Sequence, residues 1–318
     1  MAIPSQLIAD LQSNSKIAGN ENQLTLQATF ELADYGVIKI AGADADKLLQ
    51  GQLTCDVTKV TQHTASLAAL CNVKGRVISL FTLLRPFDDD VFYMLMPVSL
   101  ISITLATLKK YAPFYKVELT DESQQFRVVG WHIDKLGASD LSPFSCVTDE
   151  KHNACHIVYP NSHLLSMISI DSGADYHIER NSDTALWYVN AFTAGIAELS
   201  DTTSEHFLPH NLNLPELHAV SFDKGCYTGQ EVIARMHYKG TLKSHLFLLS
   251  ADIDESFEVT AKDPIIADQK KIGEVVSAIS TEEQLVILGL CKDLIENAKK
   301  ITVDRGNSPI LNVSRITN

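Results

Sequence analysis

An α+β fold closed by a small antiparallel β-barrel is what the 318-residue chain predicts, on three observations. Short apolar runs and helix-like stretches are interleaved, without the regular alternation that builds a parallel sheet. From Leu246 onward the text changes to five short β-like runs separated by turn-forming or charged residues, the spacing of a barrel or sandwich. No fixed-period repeat or low-complexity tract is present, which removes solenoids and propellers. At ~150 residues per domain the length suits two compact units, with room for a third if one is small.

Taken in order, Leu24–Thr29 and Gly36–Ile40 read as strands from their β-rich composition. Gly42-Ala43-Asp44 leads into a short helix ending at Gly51, a residue suited to the left-handed position after a helix. Ala65–Asn72 and Arg76–Arg85 flank Asn72-Val73-Lys74-Gly75 as the arms of a hairpin. Val91 to Leu108 carries no charge and reaches the ~18-residue length at which a membrane span is considered. Pro97 splits it, and Ser99, Ser102, Thr104 and Thr107 weaken a span. The prediction is a buried strand Val91–Met96, then a helix opened by Pro97 that runs to Lys109-Lys110. Phe126–Ile133 and Ala154–Tyr159 follow as strands, with helices around Leu164 and over Ala185–Ala194. The C-terminal runs are Leu246–Ser250, Ser256–Ala261, Lys271–Ser280, Gln284–Leu290 and Lys299–Val303.

With 26 Lys+Arg against 39 Asp+Glu, the formal charge is −13. Such a chain repels polyanions at long range, which argues against general nucleic-acid coating and against anionic membranes. Lys224, Arg235, Lys239 and Lys243 form a local basic exception, read first as a solvated face. Six cysteines (Cys55, Cys71, Cys146, Cys155, Cys226, Cys291) contain no C-x-x-C pair, so zinc-ribbon and thioredoxin patterns are unsupported. The start, MAIPSQLIADLQSNSK, lacks a basic segment followed by an apolar one. The expectation is a cytoplasmic protein with reduced thiols. His152-Asn153-Ala154-Cys155-His156, with His163 beyond, gathers metal-ligand types but no closed ligand set.

The most specific segment is Asp223-Lys224-Gly225-Cys226-Tyr227-Thr228-Gly229-Gln230-Glu231. Two glycines bracket one thiol, and either can supply a positive φ or a close backbone approach that holds Cys226 on a sharp turn. Lys224 and Arg235 favour a thiolate there, whereas Asp223 and Glu231 oppose it. Two readings of Cys226 stay open: a reactive thiol at a ligand surface, and a structural cysteine in a tight turn. A base such as His206, His210, His218 or His237 would be needed for a Cys/His hydrolase, and no orienting triad is readable.

Lys224 to Glu231 resembles the K-G-C-Y-T-G-Q-E signature of the YgfZ family, bacterial relatives of the glycine-cleavage T-protein. Gly42-Ala43-Asp44, the segment Leu49 to Val57, Lys74-Gly75-Arg76, Lys109-Lys110-Tyr111, Ala194-Gly195 and Phe207-Leu208-Pro209 agree in order. The likeness spans essentially the whole chain and is loose from about Glu122 to Asp183. It implies a T-protein-like body of two intertwined α+β lobes with ferredoxin-like elements over residues 1–241, a C-terminal antiparallel β-barrel over 242–318, and a central folate-binding opening. It further implies tetrahydrofolate or a derivative as ligand, support of the iron–sulfur enzymes that thiolate tRNA, and a part in control of replication initiation. Those enzymes would be indirect or transient partners, with no membrane and no general nucleic-acid partner.

Two family tryptophans are linked to folate. Tyr35 stands at the first position, in Asp34-Tyr35-Gly36, and Trp187 matches the second, eight residues before Gly195. Tyrosine still offers a flat ring to a pterin, together with a hydroxyl. Lys224, Gly225, Tyr227, Gly229 and Gln230 are the motif residues that the resemblance places with the ligand, and Cys226 the reactive thiol. The T-protein's acidic pair has no counterpart in Gly75-Arg76-Val77-Ile78-Ser79-Leu80-Phe81, which disfavours standard aminomethyl transfer. A folate-dependent one-carbon transferase, aminomethyl or methyl, is the alternative. It needs a replacement acid, with Asp56 and Glu231 the candidates.

Overall fold

The computed structural model describes residues 25–134, 142–161, 163–172 and 184–316. The N-terminal stretch through Leu24, and parts of the loosely matching segment, lie outside them. Sixteen described strands form three sheets. Strands β1 (Thr25–Glu31) and β2 (Tyr35–Ala41) are neighbours in sequence yet enter different sheets. The first sheet joins β2 to β3 (Ser66–Cys71), β4 (Val77–Leu84), β5 (Val91–Pro97) and β6 (Glu118–Asp121), in the order β3-β4-β5-β2-β6. The second takes β1 together with β7 (Phe126–Asp134), β8 (Cys146–Asp149), β9 (Ala154–Tyr159) and β10 (His163–Ser169), in the order β1-β7-β10-β9-β8. Sending β1 across to the later strands ties the two halves of the body together.

Helices are few. They are α1 (Ala45–Gln50), α2 (Val98–Leu108), α3 (Ala185–Thr193) and α4 (Gln230–Lys239). Pro97 closes β5 and caps α2, so the uncharged stretch divides into strand and helix as its proline predicts. No helix among the described residues is long and apolar enough to cross a membrane. Gly51 follows α1 at φ −82°, right-handed rather than left-handed; the chain tightens into a further turn in which Leu53 N–H donates to Leu49 O.

The third sheet is a curled antiparallel half-barrel. It comprises β11 (His245–Asp252), β12 (Pro264–Ala267), β13 (Lys270–Ser280), β14 (Gln284–Cys291), β15 (Ile301–Val303) and β16 (Asn312–Arg315), in the order β15-β12-β13-β14-β11-β16. Strands β11 and β14 are apolar on both faces, and the period of two sorts their side chains. Leu246 of β11 with Val286 and Leu288 of β14 joins the large core of the body, while Phe247, Leu249, Leu285 and Ile287 fill a second core behind the sheet.

Two readings of the sequence are corrected. The stretch around Leu164 is strand β10, paired on both sides and buried over six of its seven positions, so it shows no single apolar face from which a helix could be told apart. Ser256–Ala261 joins no strand: Phe257 N–H donates to Ser280 Oγ (2.9 Å) and Thr260 N–H to Asp263 Oδ2 (2.9 Å). Strands β12 and β16 stand in the sheet instead.

Candidate ligand trough and the cysteine loop

The motif Lys224 to Glu231 is a loop that runs into α4 and clasps two other segments. Lys224 Nζ donates to the carbonyl oxygens of Leu53 (2.8 Å) and Cys55 (2.7 Å) and lies 5.0 Å from the ring centre of Tyr227. Thr228 N–H donates to Gly51 O (3.2 Å), and its hydroxyl to Gln52 Oε1 (3.0 Å). Gly229 sits at φ +85° with its Cα against the hairpin turn; a Cβ there would stand 2.5 Å from Asn72 O. The segments Leu49 to Val57, Lys74 to Arg76 and Lys224 to Glu231, far apart in sequence, therefore make one assembly. Burial pushes the Lys224 ammonium down to about 8, against the opposing pull of Cys55 and Asp56.

Within the motif the glycines are not equivalent. Gly229 is required by its conformation and by Asn72, whereas a Cβ on Gly225 would meet nothing within 4 Å. Cys226 is exposed, and among the described residues no group hydrogen-bonds its Sγ, including the four histidines that sequence reasoning offered as bases. The other five cysteines are buried. Burial pushes the thiols of Cys55 to about 11 and Cys291 to about 12. Tyr227 is buried with its hydroxyl unpaired, and Gln230 is the half-buried first residue of α4.

Beside this assembly runs a trough. Its outer cavity, about 580 Å³, is bounded by Asp56, Lys59, Phe222, Asp223 and His237. An adjoining cavity of about 620 Å³ shares Thr64, Ala65, Ser66 and His218 with it and continues past Leu67, Phe144, Pro160 and Ala194. Leu67 also borders the small inner space lined by Tyr35, Tyr159, Ile196 and Glu198. Tyr35 and Trp187 approach Tyr159 from different sides: Tyr35 shares the inner space with it, and Trp187 packs behind it at 5.5 Å between ring centres. Tyr159, its hydroxyl 2.6 Å from Thr82 Oγ1, is the wall between them.

Trp187 is 2% exposed, and its Nε1–H has no partner among the described residues. Gly130 of β7 makes room for it, since a Cβ there would fall 2.5 Å from the indole Cε3. Tyr35 donates its hydroxyl to Glu198, whose carboxyl is pushed up to about 8 by burial, with Tyr35 opposing and Asp34 adding to the shift. Glu198 is the carboxyl at the inner end, and sequence reasoning passed over it.

The proposed replacement acids lie elsewhere. Asp56 reaches the outer cavity, but its Oδ1 accepts from Gln50 Nε2 (3.0 Å) and Thr58 Oγ1 (2.7 Å). Burial works against ionisation there, yet the bonds from Thr58 and Gln50 hold the carboxyl below its ordinary value. Glu231 is exposed on the first turn of α4. Cys226 lines none of these cavities, so the thiol and the two aromatic residues are not brought into contact. The histidine-rich segment is dispersed: His152 Nδ1 pairs with Asp149 Oδ2 (2.7 Å), and His156 Nδ1 with Ser166 Oγ (2.7 Å). Among the described residues no three His, Cys, Asp or Glu stand together as a metal-binding group.

No family model matches the chain. It is 28% identical over 307 residues to the tRNA-modifying protein YgfZ of Colwellia psychrerythraea, covering 92% of this chain and 90% of that protein. It is 30% identical over 276 residues to the tRNA-modifying protein YgfZ of Escherichia coli O157:H7, covering 81% and 82%. Among solved structures, the glycine cleavage system aminomethyltransferase T from Bartonella henselae superposes with a TM-score of 0.67 at 12% identity, over 99% of this chain and 90% of that one. That likeness fixes the fold.

Proposed function

The chain belongs to the YgfZ family of tRNA-modifying proteins, and from that premise we propose that it holds a tetrahydrofolate-type ligand in the trough and supports the iron–sulfur enzymes that thiolate tRNA. The observation that carries the ligand assignment is the trough itself. Its two larger cavities share a floor, and each has a size typical of small-molecule sites. A reduced folate has a flat bicyclic head, an aromatic middle and an anionic tail. Leu67, Phe144 and Pro160 offer aromatic and apolar surface in the inner of these two cavities, with Tyr35 and Tyr159 beyond Leu67, and Lys59 offers a cation at the outer one.

When bound, a reduced folate supplies a carrier for one-carbon units. The chain's own part is to seat and orient it. Trp187 and Gly130 fix Tyr159 from behind, Ser66 and His218 line the passage, and the Lys224 clasp holds the Gly51–Cys55 segment in place. Cys226 stands outside the trough, on the solvent side of the clasp, as the thiol open to another macromolecule. The link to control of replication initiation belongs to the same reading, as an indirect consequence of folate-dependent tRNA modification.

The role is tested by deleting the gene in the source bacterium and measuring modified nucleosides. Thiolated nucleosides should fall and return with the wild-type gene; unchanged levels in the deletion strain remove the role. A Cys226→Ala gene that restores them fully removes the thiol's part alone. One-carbon transfer is the second reading, favoured by Glu198. A carboxyl that keeps its proton to about pH 8 at the inner end is a proton donor, the task for which Asp56 and Glu231 are badly placed. Absence of turnover with methylene-tetrahydrofolate and an amine acceptor, together with intact binding, discards that reading.

A further inference from the structure

Helix α4 buries only Ile233. Its outward stripe carries Arg235, Tyr238 and Lys239, with Tyr238 68% exposed. Val232 of the same helix rests on Gly75, which brings the exposed hairpin turn with Lys74 and Arg76 alongside. None of these four cations is neutralised by an ion pair among the described residues, and Arg76 Nη1 donates to the carbonyl oxygen of His206 (2.5 Å). Glu231 is the one acidic residue on α4. In a chain of charge −13 this is a local reversal of sign, built on a helix that gives the core a single side chain.

We propose that the face made by α4 and the Asn72–Arg76 turn docks the phosphate backbone of tRNA. The proposal rests on the tRNA-modification reading and deepens it by placing the RNA directly on this protein. Charge complementarity selects a polyanion, and Tyr238 between Arg235 and Lys239 selects RNA with unpaired bases, because an exposed ring flanked by cations stacks a base while its neighbours hold phosphates. Cys226, exposed just before α4, lies at its edge.

The test is fluorescence anisotropy with bulk tRNA from the source bacterium, across a salt series. Wild-type protein should bind at 50 mM salt and lose affinity steeply as salt rises. Each phosphate contact contributes about 0.7 to 0.9 to the slope of log affinity against log salt. The Lys74→Glu/Arg235→Glu/Lys239→Glu protein should bind at least tenfold more weakly and with a shallower slope. Lys270→Glu/Lys271→Glu/Lys292→Glu carries the same charge change on the half-barrel, among exposed lysines, and should bind within about threefold of wild type. Tyr238→Ala, which alters no charge, should weaken tRNA roughly tenfold while leaving the salt slope intact. No binding at 50 mM salt, or equal loss in the two charge-reversed proteins, overturns the proposal. Lost thiolation in the deletion strain without tRNA binding by the purified protein rejects this docking face and leaves the cellular role standing.

Discussion

Tyr35, at the start of β2, donates its hydroxyl to the carboxyl of Glu198, which lies beyond α3. The Glu198 backbone is bridged in turn to β13, where Ser277 Oγ donates to its carbonyl (2.6 Å) and accepts from its N–H (3.1 Å). Body, inner cavity and half-barrel therefore meet at one carboxyl. Because the fold raises this group from its ordinary 4.5 to about 8, native protein holds a proton there that unfolded chain has already released. Stability is therefore lost as pH rises through that window. Glu198→Gln stays neutral throughout and should lose less stability than wild type between pH 5 and pH 8, measured by urea unfolding at both. Equal losses in the two proteins would dismiss the carboxyl as the source.

Trp187 lies directly over the bare Cα of Gly130. A methyl group there cannot be accommodated without moving the indole, so Gly130→Ala should cost about 1 to 3 kcal/mol and shift the tryptophan emission. If stability and emission both stay at wild-type values, Trp187 is not held against β7.

The motif glycines should part company. Gly229→Ala meets a positive φ and the Asn72 carbonyl together, and should cost about 1 to 3 kcal/mol. Gly225→Ala should fall within about 0.5 kcal/mol of wild type. Lys224→Met leaves two carbonyl oxygens without their donor and should cost about 2 kcal/mol. Thermal melts of the three variants check the ranking, and a Gly225→Ala cost equal to that of Gly229→Ala would contradict the clasp.

Cys226 should react alone. A chromogenic disulfide reagent should titrate about one thiol in native protein and six after denaturation, since the other five cysteines are buried. Loss of the fast-reacting thiol in Cys226→Ala, with unchanged melting, confirms the assignment. Two or more fast thiols would not fit it.

Much of the scaffold is legible in the chain. The hairpin of β3 and β4 announces itself through Asn72 to Gly75, and the break between β5 and α2 through Pro97, because each depends on the local chemistry of a turn or a cap. Strand β10 is not legible, because a short run buried on both faces lacks the alternation that marks a half-buried strand. Nor is β16, whose Asn-Val-Ser-Arg owes its conformation to pairing with β11. In the site, the likeness to a known family directs attention to Tyr35, Trp187 and the cysteine loop, but Tyr159 and Glu198 belong to it only through tertiary contacts that no local pattern encodes. The same holds for the clasp, whose partners are about 170 residues apart.

The central claim is that the trough holds a reduced folate, and an anaerobic calorimetric titration with tetrahydrofolate tests it most directly. Thr64 lines both large cavities and its side chain is exposed, so Thr64→Trp fills the passage without disturbing the core. Wild-type protein should bind one equivalent, and Thr64→Trp, melting normally, should show at least a tenfold loss. No binding to wild type at millimolar ligand, or equal binding by the two proteins, would contradict the account.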